Sequence, residues 1–325
     1  MSEFKSNILL SNITNDLIES ILLFCNKLDL TMISHTNNQF NKITKKDKFK
    51  KVKFKINFSI RHDVLYTTNA AFEGYLDVLI YLKLNHDWDA SICLHASENG
   101  HLEVLQWARA NGCVWDIWTC ARAATNGHLE ILQWARANGC DWDRLTCAYA
   151  AKNGHLQVLQ WARANGCEWN SGTCAYAAEN GHLKVLQWAR VNGCEWNSNT
   201  CAYAALNGHL EVLQWARTNG CEWNKITCKN AAYNGHLEVL QWARANGCEW
   251  DSLTCSHAAI NGHLEVLQWA RANGCEWDSW TCANATLNGH LEVLQWAINN
   301  SCEFTKEAHN IALKKWPGSF TGCLT

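Results

Sequence analysis

The sequence predicts an all-α architecture: an α-solenoid of stacked helix-turn-helix repeats, preceded by a small N-terminal helical domain. Three observations predict it. An Asn-Gly-His-Leu core recurs with its glycine at Gly100, Gly127, Gly154, Gly181, Gly208, Gly235, Gly262 and Gly289, a step of 27 residues every time. A fixed period of this size marks a repeat array. Each period holds two apolar patterns of helical spacing, and Asn-Gly closes both in most copies. Helices of about two turns are not stable alone, so each copy must bury its apolar face against the next.

Residues 1–44 form the predicted N-terminal domain. Ile13, Leu17, Ile18, Ile21, Leu22 and Phe24 have the spacing of an amphipathic helix, which Thr14 or Asn15 can cap. Leu28-Asp29-Leu30, Ile33 and the run from Asn37 to Ile43 complete three short helices. So small a domain is insecure by itself, and a partner is expected. The stretch resembles an F-box: Ile13, Asp16, Leu17, Ile21, Leu22, Asp29, Leu30, Asn37 and Phe40 fall on that family's pattern in register. Thr14 stands where the family has Pro, and Asn26 where a second Pro is common. The resemblance implies docking onto the Skp-type adaptor of a cullin–RING ubiquitin ligase, with Leu17, Ile21, Leu22, Leu30 and Phe40 as buried anchors. Without the resemblance, the same helices read as a cap on the array.

Residues 45–63 are a basic connector. Lysines crowd it, and Val52, Phe54, Ile56 and Phe58 alternate along it, as in a strand or a linker helix on the first repeat. One short basic run on an otherwise acidic chain is a solvated face, and no nucleic-acid partner is expected. Residues 64–90 hold a degenerate first repeat. Its second helix is one residue short, and Trp88 falls in phase with Trp115. Terminal copies are atypical because one side has no neighbour.

The regular unit is clear from Thr146 to Trp169. Thr146 is the expected N-cap of a first, Ala-rich helix that Asn153-Gly154 ends. Leu156 to Ala164 is the second helix, with Leu156, Val158, Leu159 and Ala162 on or near its inner face. Asn165-Gly166 repeats the stop signal. The unit resembles the ankyrin repeat, whose pattern runs Thr-Pro-Leu-His-x-Ala-Ala, a Gly-His-Leu-Glu-Val-Val turn and helix, then Asn-Gly-Ala. Cys147 stands where the family has Pro, and Cys167 where it has Ala. The family repeat is about 33 residues, and the shortfall lies between Gly166 and Thr173, where ankyrin proteins build a β-hairpin. Stacked helix pairs with little or no strand are therefore expected over residues 64–315. At the far end Thr305-Lys306-Glu307 opens a last helix, Lys314-Lys315 gives it a polar finish, and Pro317 stops it. Residues 316–325 are a tail whose end should fray.

Net charge is −2, but residues 1–61 carry 11 Lys+Arg against 5 Asp+Glu, a surplus of 6, which leaves −8 on the rest. No apolar run of about 18 residues predicts a membrane span, and Ile8-Leu9-Leu10 is too short for a signal peptide. An intracellular location is expected: the cytoplasm, with the nucleus open. Sixteen of the 18 cysteines are two per repeat, one on the first helix (after Thr in every copy but that of Cys93) and one after the second stop signal. There is no Cys-x-x-Cys. They read as reduced, compact fillers of small buried sites, with no metal role. The Gly-His histidines read as turn residues bonding the neighbouring loop. Stacked repeats about 10 Å apart cannot share a zinc between them. Trp107, Trp134 and Trp161, with their copies, are expected in the core. Trp115, Trp142 and Trp169 are expected to pack between units.

The copies form their own alignment. Most positions barely change, but three phases of the first helix change freely. Four- and three-residue spacings put them on one strip, which corresponds to the concave face that ankyrin-type proteins use for partners. Candidate partner-binding residues are Trp118, Arg122, Thr125, Leu145, Tyr149, Lys152, Tyr176, Glu179, Tyr203, Leu206, Asn230, Tyr233, His257, Ile260 and Trp280. Drift on an exposed strip should yield Lys, Glu and Ser rather than Tyr, Trp, Leu and Ile. That strip is expected to be separate from the stacking interface. No nucleophile elbow or phosphate loop is present, so no catalytic residue and no cofactor is proposed. The expected function is that of a monomeric, non-enzymatic adaptor: the array binds a target protein and the F-box-like region recruits the ligase. The domain order and near-identical 27-residue repeats look like proteins encoded by large DNA viruses, which would act in host cytoplasm.

Overall fold

The computed structural model describes residues 64–83 and 90–319. The F-box-like region, the basic connector, Trp88 and residues 320–325 lie outside the described residues. Nineteen helices and no strand are found among the described residues. None is long and apolar enough to cross a membrane. The chain divides between Trp142 and Asp143 into two compact units.

The first unit contains α1 Val64–Glu73, α2 Leu76–Lys83, α3 Ser91–Glu98, α4 Leu102–Ala110, α5 Ile117–Thr125 and α6 Leu129–Ala137. The second helix of the degenerate first repeat is α2, and residues 84–89 that follow it lie outside the described residues. The second unit contains α7 Arg144–Lys152, α8 Leu156–Ala164, α9 Ser171–Glu179, α10 Leu183–Val191, α11 Ser198–Leu206, α12 Leu210–Thr218, α13 Lys225–Tyr233, α14 Leu237–Ala245, α15 Ser252–Ile260, α16 Leu264–Ala272, α17 Ser279–Asn288, α18 Leu291–Asn299 and α19 Lys306–Lys315. Within each unit, first helices of successive repeats pack side by side, and each packs on its own second helix. All-α stacked helical hairpins are thus what the described residues form.

The first helices can approach closely because their inner residues are small. In α7, Thr146, Cys147, Ala148, Ala150 and Ala151 are all buried. The second helices supply the larger apolar bodies. In α8, Val158, Leu159 and Ala162 are buried, while Leu156 is half-buried. Where α8 ends, Gly166 takes a φ of +84° and Cys167 N–H donates to Ala162 O at 2.9 Å, so a freed carbonyl of the last turn finds a partner. The last helix, α19, is capped by Thr305, whose hydroxyl accepts from Ala308 N–H at 3.2 Å.

Two expectations need correction. Thr146 does not cap α7. Asp143 does, with its carboxylate accepting from Leu145 N–H at 2.9 Å. The helix therefore starts earlier, and Thr146 is fully buried inside its first turn. Asp116, Asn170, Asn197, Asn224, Asp251 and Asp278 cap their helices in the same way. An Asx residue three positions before each Thr was the signal, and it outcompetes Thr as a cap. Secondly, Trp107, Trp134 and Trp161 are half-buried rather than core, because the Val-Leu-Ala face fills the interior without them.

These indoles brace the short loop. Trp169 meets Trp188 of the next repeat edge-to-face, with ring centroids 5.8 Å apart. The Arg163 guanidinium lies 4.1 Å over the Trp169 ring and donates to Cys167 O. The arrangement recurs at Trp196 with Trp215 and Arg190, and at Trp115 with Trp134 and Arg109. An edge-to-face aromatic pair and a cation–π contact contribute about 0.5–1.5 and 0.5–1 kcal/mol. They hold the connection where no hairpin is present.

Candidate partner-binding surface

Asn-Gly-His joins one repeat to the one before it. Asn180 Nδ2–H donates to Lys152 O at 2.6 Å, and the imidazole of His182 bonds the same carbonyl. Asn234 and His236 share Leu206 O in the same manner. That carbonyl ends a first helix and has no partner within its own helix. The expected role of the histidines, bonding the neighbouring loop, is what the structure shows at His101, His128 and His290, 2.9–3.1 Å from Phe72 O, Glu98 O and Ile260 O. An imidazole nitrogen facing a carbonyl must be the donor. Burial pulls the imidazoles of His182, His236 and His263 below their ordinary range, against the opposing pull of the carbonyls they bond.

This bonding explains why the last residue of each first helix can vary. Lys152, Glu179, Leu206, Tyr233 and Ile260 join that frame through their backbone carbonyls. The two other variable phases lie one turn and two turns earlier, outside the buried Thr-Cys-Ala and Ala-Ala positions. Every candidate of the strip is half-buried or exposed.

In the first unit, Trp118 is exposed, and Arg122 reaches Glu98 at 3.4 Å. Thr125 turns its hydroxyl back to Ala121 O at 2.7 Å. In the second unit the structure brings four candidates together. Tyr149 and Tyr176 stack with centroids 6.5 Å apart and planes 20° from parallel. Lys152 Nζ bonds Glu179 Oε1 at 3.1 Å and lies 5.2 Å over the Tyr176 ring. Leu145 and Tyr203 are half-buried, as are Leu206 and Ile260. Tyr233 packs on His257 at 5.8 Å, and His257 Nδ1–H donates to Leu253 O at 2.8 Å. Burial holds that imidazole below its ordinary range. Trp280 is 62% exposed.

The strip is not separate from the stacking, contrary to expectation. Asn230 Nδ2–H donates to Ala202 O at 3.0 Å, and Asn284 to Ser256 O at 3.4 Å. Together with Lys152 and Glu179, these side chains reach from one repeat to the next. At these positions equivalent residues of adjacent copies within a unit stand near enough to pair, so the strip there is in contact with itself.

Sequence reasoning left out of the candidate set several exposed apolar residues of the second unit: Ile226, Leu253, Leu287 and Ile311. The first three occupy the variable phases and were findable from the internal alignment. Ile311 lies on α19, which has no copy to align with. Leu287, Trp280 and Ile311 flank a shallow cleft of about 260 Å³ that Ala283, Thr305 and Ala308 complete. Among the described residues, no group of three or more His, Cys, Asp or Glu is placed to hold a metal.

A family model described as ankyrin repeats (many copies) matches residues 120–163 and 255–298. No curated protein matches the chain. Among solved structures, the crystal structure of the human ASB11 ankyrin repeat domain is similar, at 16% identity and a TM-score of 0.40. The likeness covers 48% of this chain and 84% of that one. The matched stretches are similar to ankyrin repeats, a family of scaffolds for protein–protein interaction.

Proposed function

We propose that the chain is a non-enzymatic adaptor whose first-helix strip captures a target protein and whose F-box-like region delivers it to a ubiquitin ligase. One observation carries the capture half. The frame repeats nearly unchanged, while the positions it leaves outward differ and are rich in aromatic and aliphatic side chains. Tyr149, Tyr176, Lys152 and Glu179 form an ordered, half-buried cluster on that strip. Tyrosines with an apolar body and a polar tip are favoured anchors at protein interfaces.

The delivery half rests on the register of Leu17, Ile21, Leu22, Leu30 and Phe40 with the F-box pattern. Those apolar side chains would enter a Skp-type adaptor of a cullin–RING ligase. The adaptor would act as a monomer inside cells, in the cytoplasm. The repeat sequence and domain order also support a large-DNA-virus origin, which would make that the host cytoplasm.

Two experiments test the halves separately. Purified Skp-type adaptor should be retained by the full chain and lost on combining Leu22→Asp with Leu30→Asp. Absence of binding, or binding indifferent to both changes, leaves a plain scaffold. Proximity labelling should yield a set of target proteins that disappears when Tyr149, Tyr176 and Tyr203 are all changed to Ala. An unchanged set removes the strip as the capture face.

A further inference from the structure

Each regular repeat carries two cysteines twenty residues apart, one on the first helix and one in the loop after the second. All sixteen are thiols, and all are buried. Folding brings the two of a repeat together. The sulfurs of Cys93 and Cys113 are 3.3 Å apart, with the Cys93 thiol donating. The Cys147 and Cys228 sulfurs lie 3.9 Å from the carbonyl oxygens of Cys167 and Cys248. A disulfide bond is about 2.05 Å long, so the first pair must close by only about 1.2 Å.

The two thiols of a repeat are not equivalent. A bond to the Cys167 sulfur and burial both raise Cys147 above the ordinary thiol range. Cys167 is lowered by that same bond, against burial and the nearby Asp143 carboxylate, and the Arg163 guanidinium makes a smaller contribution to the lowering. Cys221 behaves in the same way, aided by the Thr200 hydroxyl. That hydroxyl is wholly buried and has no oxygen or nitrogen partner. The loop cysteine is therefore the better nucleophile, and the helix cysteine waits beside it.

We infer that each such repeat is a two-thiol oxidation site, at which hydrogen peroxide closes a disulfide between the helix cysteine and the loop cysteine. In the first step the loop thiolate attacks one peroxide oxygen. An S–O bond forms, the O–O bond breaks, hydroxide leaves, and the loop cysteine becomes a sulfenic acid. In the second step the helix cysteine attacks that sulfur. The S–S bond forms, the S–O bond breaks, and the thiol proton leaves with the oxygen as water. Two thiols are oxidised, and one peroxide is reduced to two waters. Each bond ties a first helix to the end of its own second helix, across a loop that disulfide closure stabilises. The array then becomes harder to unfold without any change in its face.

The test uses the full chain with Cys25→Ser and Cys323→Ser, treated with hydrogen peroxide under native conditions and mapped by peptide mass spectrometry. Crosslinks joining Cys147 to Cys167 and Cys228 to Cys248 are expected. They should reverse with dithiothreitol, and the thermal midpoint should rise by several degrees. In a further Cys167→Ala variant, Cys147 should stay uncrosslinked while other pairs close. Thiols that survive intact, sulfinic acids without crosslinks, or crosslinks between repeats or molecules would each overturn the inference. So would Cys147 finding another partner in the Cys167→Ala variant.

Discussion

Gly262 and Gly274 offer a matched pair for testing how copies are joined. Both hold left-handed backbone, with φ of +76° and +84°. A Cβ at Gly274 would meet nothing within 4 Å. At Gly262 it would fall 2.5 Å from His290 Nδ1 and 2.8 Å from Cε1. That imidazole cannot swing away cheaply, because its Nε2–H donates to Ile260 O at 2.9 Å. Alanine in left-handed backbone costs about 1–2 kcal/mol, and Gly274→Ala should show that cost alone. Gly262→Ala should add the loss of the His290 bond, about 0.5–1.5 kcal/mol, for a total of about 1.5–3.5 kcal/mol. Urea unfolding followed by tryptophan fluorescence measures both, with midpoints compared at equal slope. A His290→Ala background supplies the decisive control. There the excess cost of Gly262→Ala over Gly274→Ala should vanish. Equal costs in the parent chain, or an excess that survives in His290→Ala, would refute the coupling of glycine to histidine.

Three further outcomes are expected. Asn170→Ala removes the acceptor of Gly172 N–H at 3.0 Å and should cost about 1 kcal/mol in the same assay, whereas Thr173→Val, at a hydroxyl with no partner, should cost nothing or stabilise. Arg217→Ala removes a guanidinium 4.2 Å over Trp223 that also donates to Cys221 O. The expected cost is about 1–2 kcal/mol, with a change in tryptophan emission. The half-buried imidazoles of His182, His236 and His263 have pKa values below their ordinary 6.5, so the unfolded chain binds more protons than the folded one in that window. Their contribution is complete above about pH 6.5 and is lost as pH falls through the lower folded values. The unfolding midpoint should therefore be lower at about pH 5.5 than at about pH 7.5, and the difference should shrink when the three are changed to Gln.

The internal copies made much of the fold legible. Leu156–Ala164 is the second helix the spacing predicts, and both Asn-Gly stops fall where glycine permits left-handed backbone. The strip was legible too, since the half-buried outer positions of α7 are those that vary. The cap falls on Asp143 rather than Thr146, as the stronger N-cap preference of an Asx three residues upstream already indicates. The Gln-Trp indoles were misplaced because large apolar residues attract a core assignment, although their position on the helix leaves them flanking the loop. The contact of the strip with itself depends on distances between copies, which no single copy encodes.

A period of 27 residues, two stop signals and a small-residue face determined by themselves that this chain builds helical hairpins that must lean on one another. Periodicity is a local property, and each copy states it in full. Tertiary structure alone decided which donors meet the last carbonyl of a first helix, and which cysteine sulfurs come within reach of each other. It also decided that Tyr149, Tyr176, Lys152 and Glu179 form one cluster. Those pairings join residues about 20 to 30 positions apart, and their geometry follows from how one hairpin packs on the next, a quantity absent from the order of residues until the packing is made.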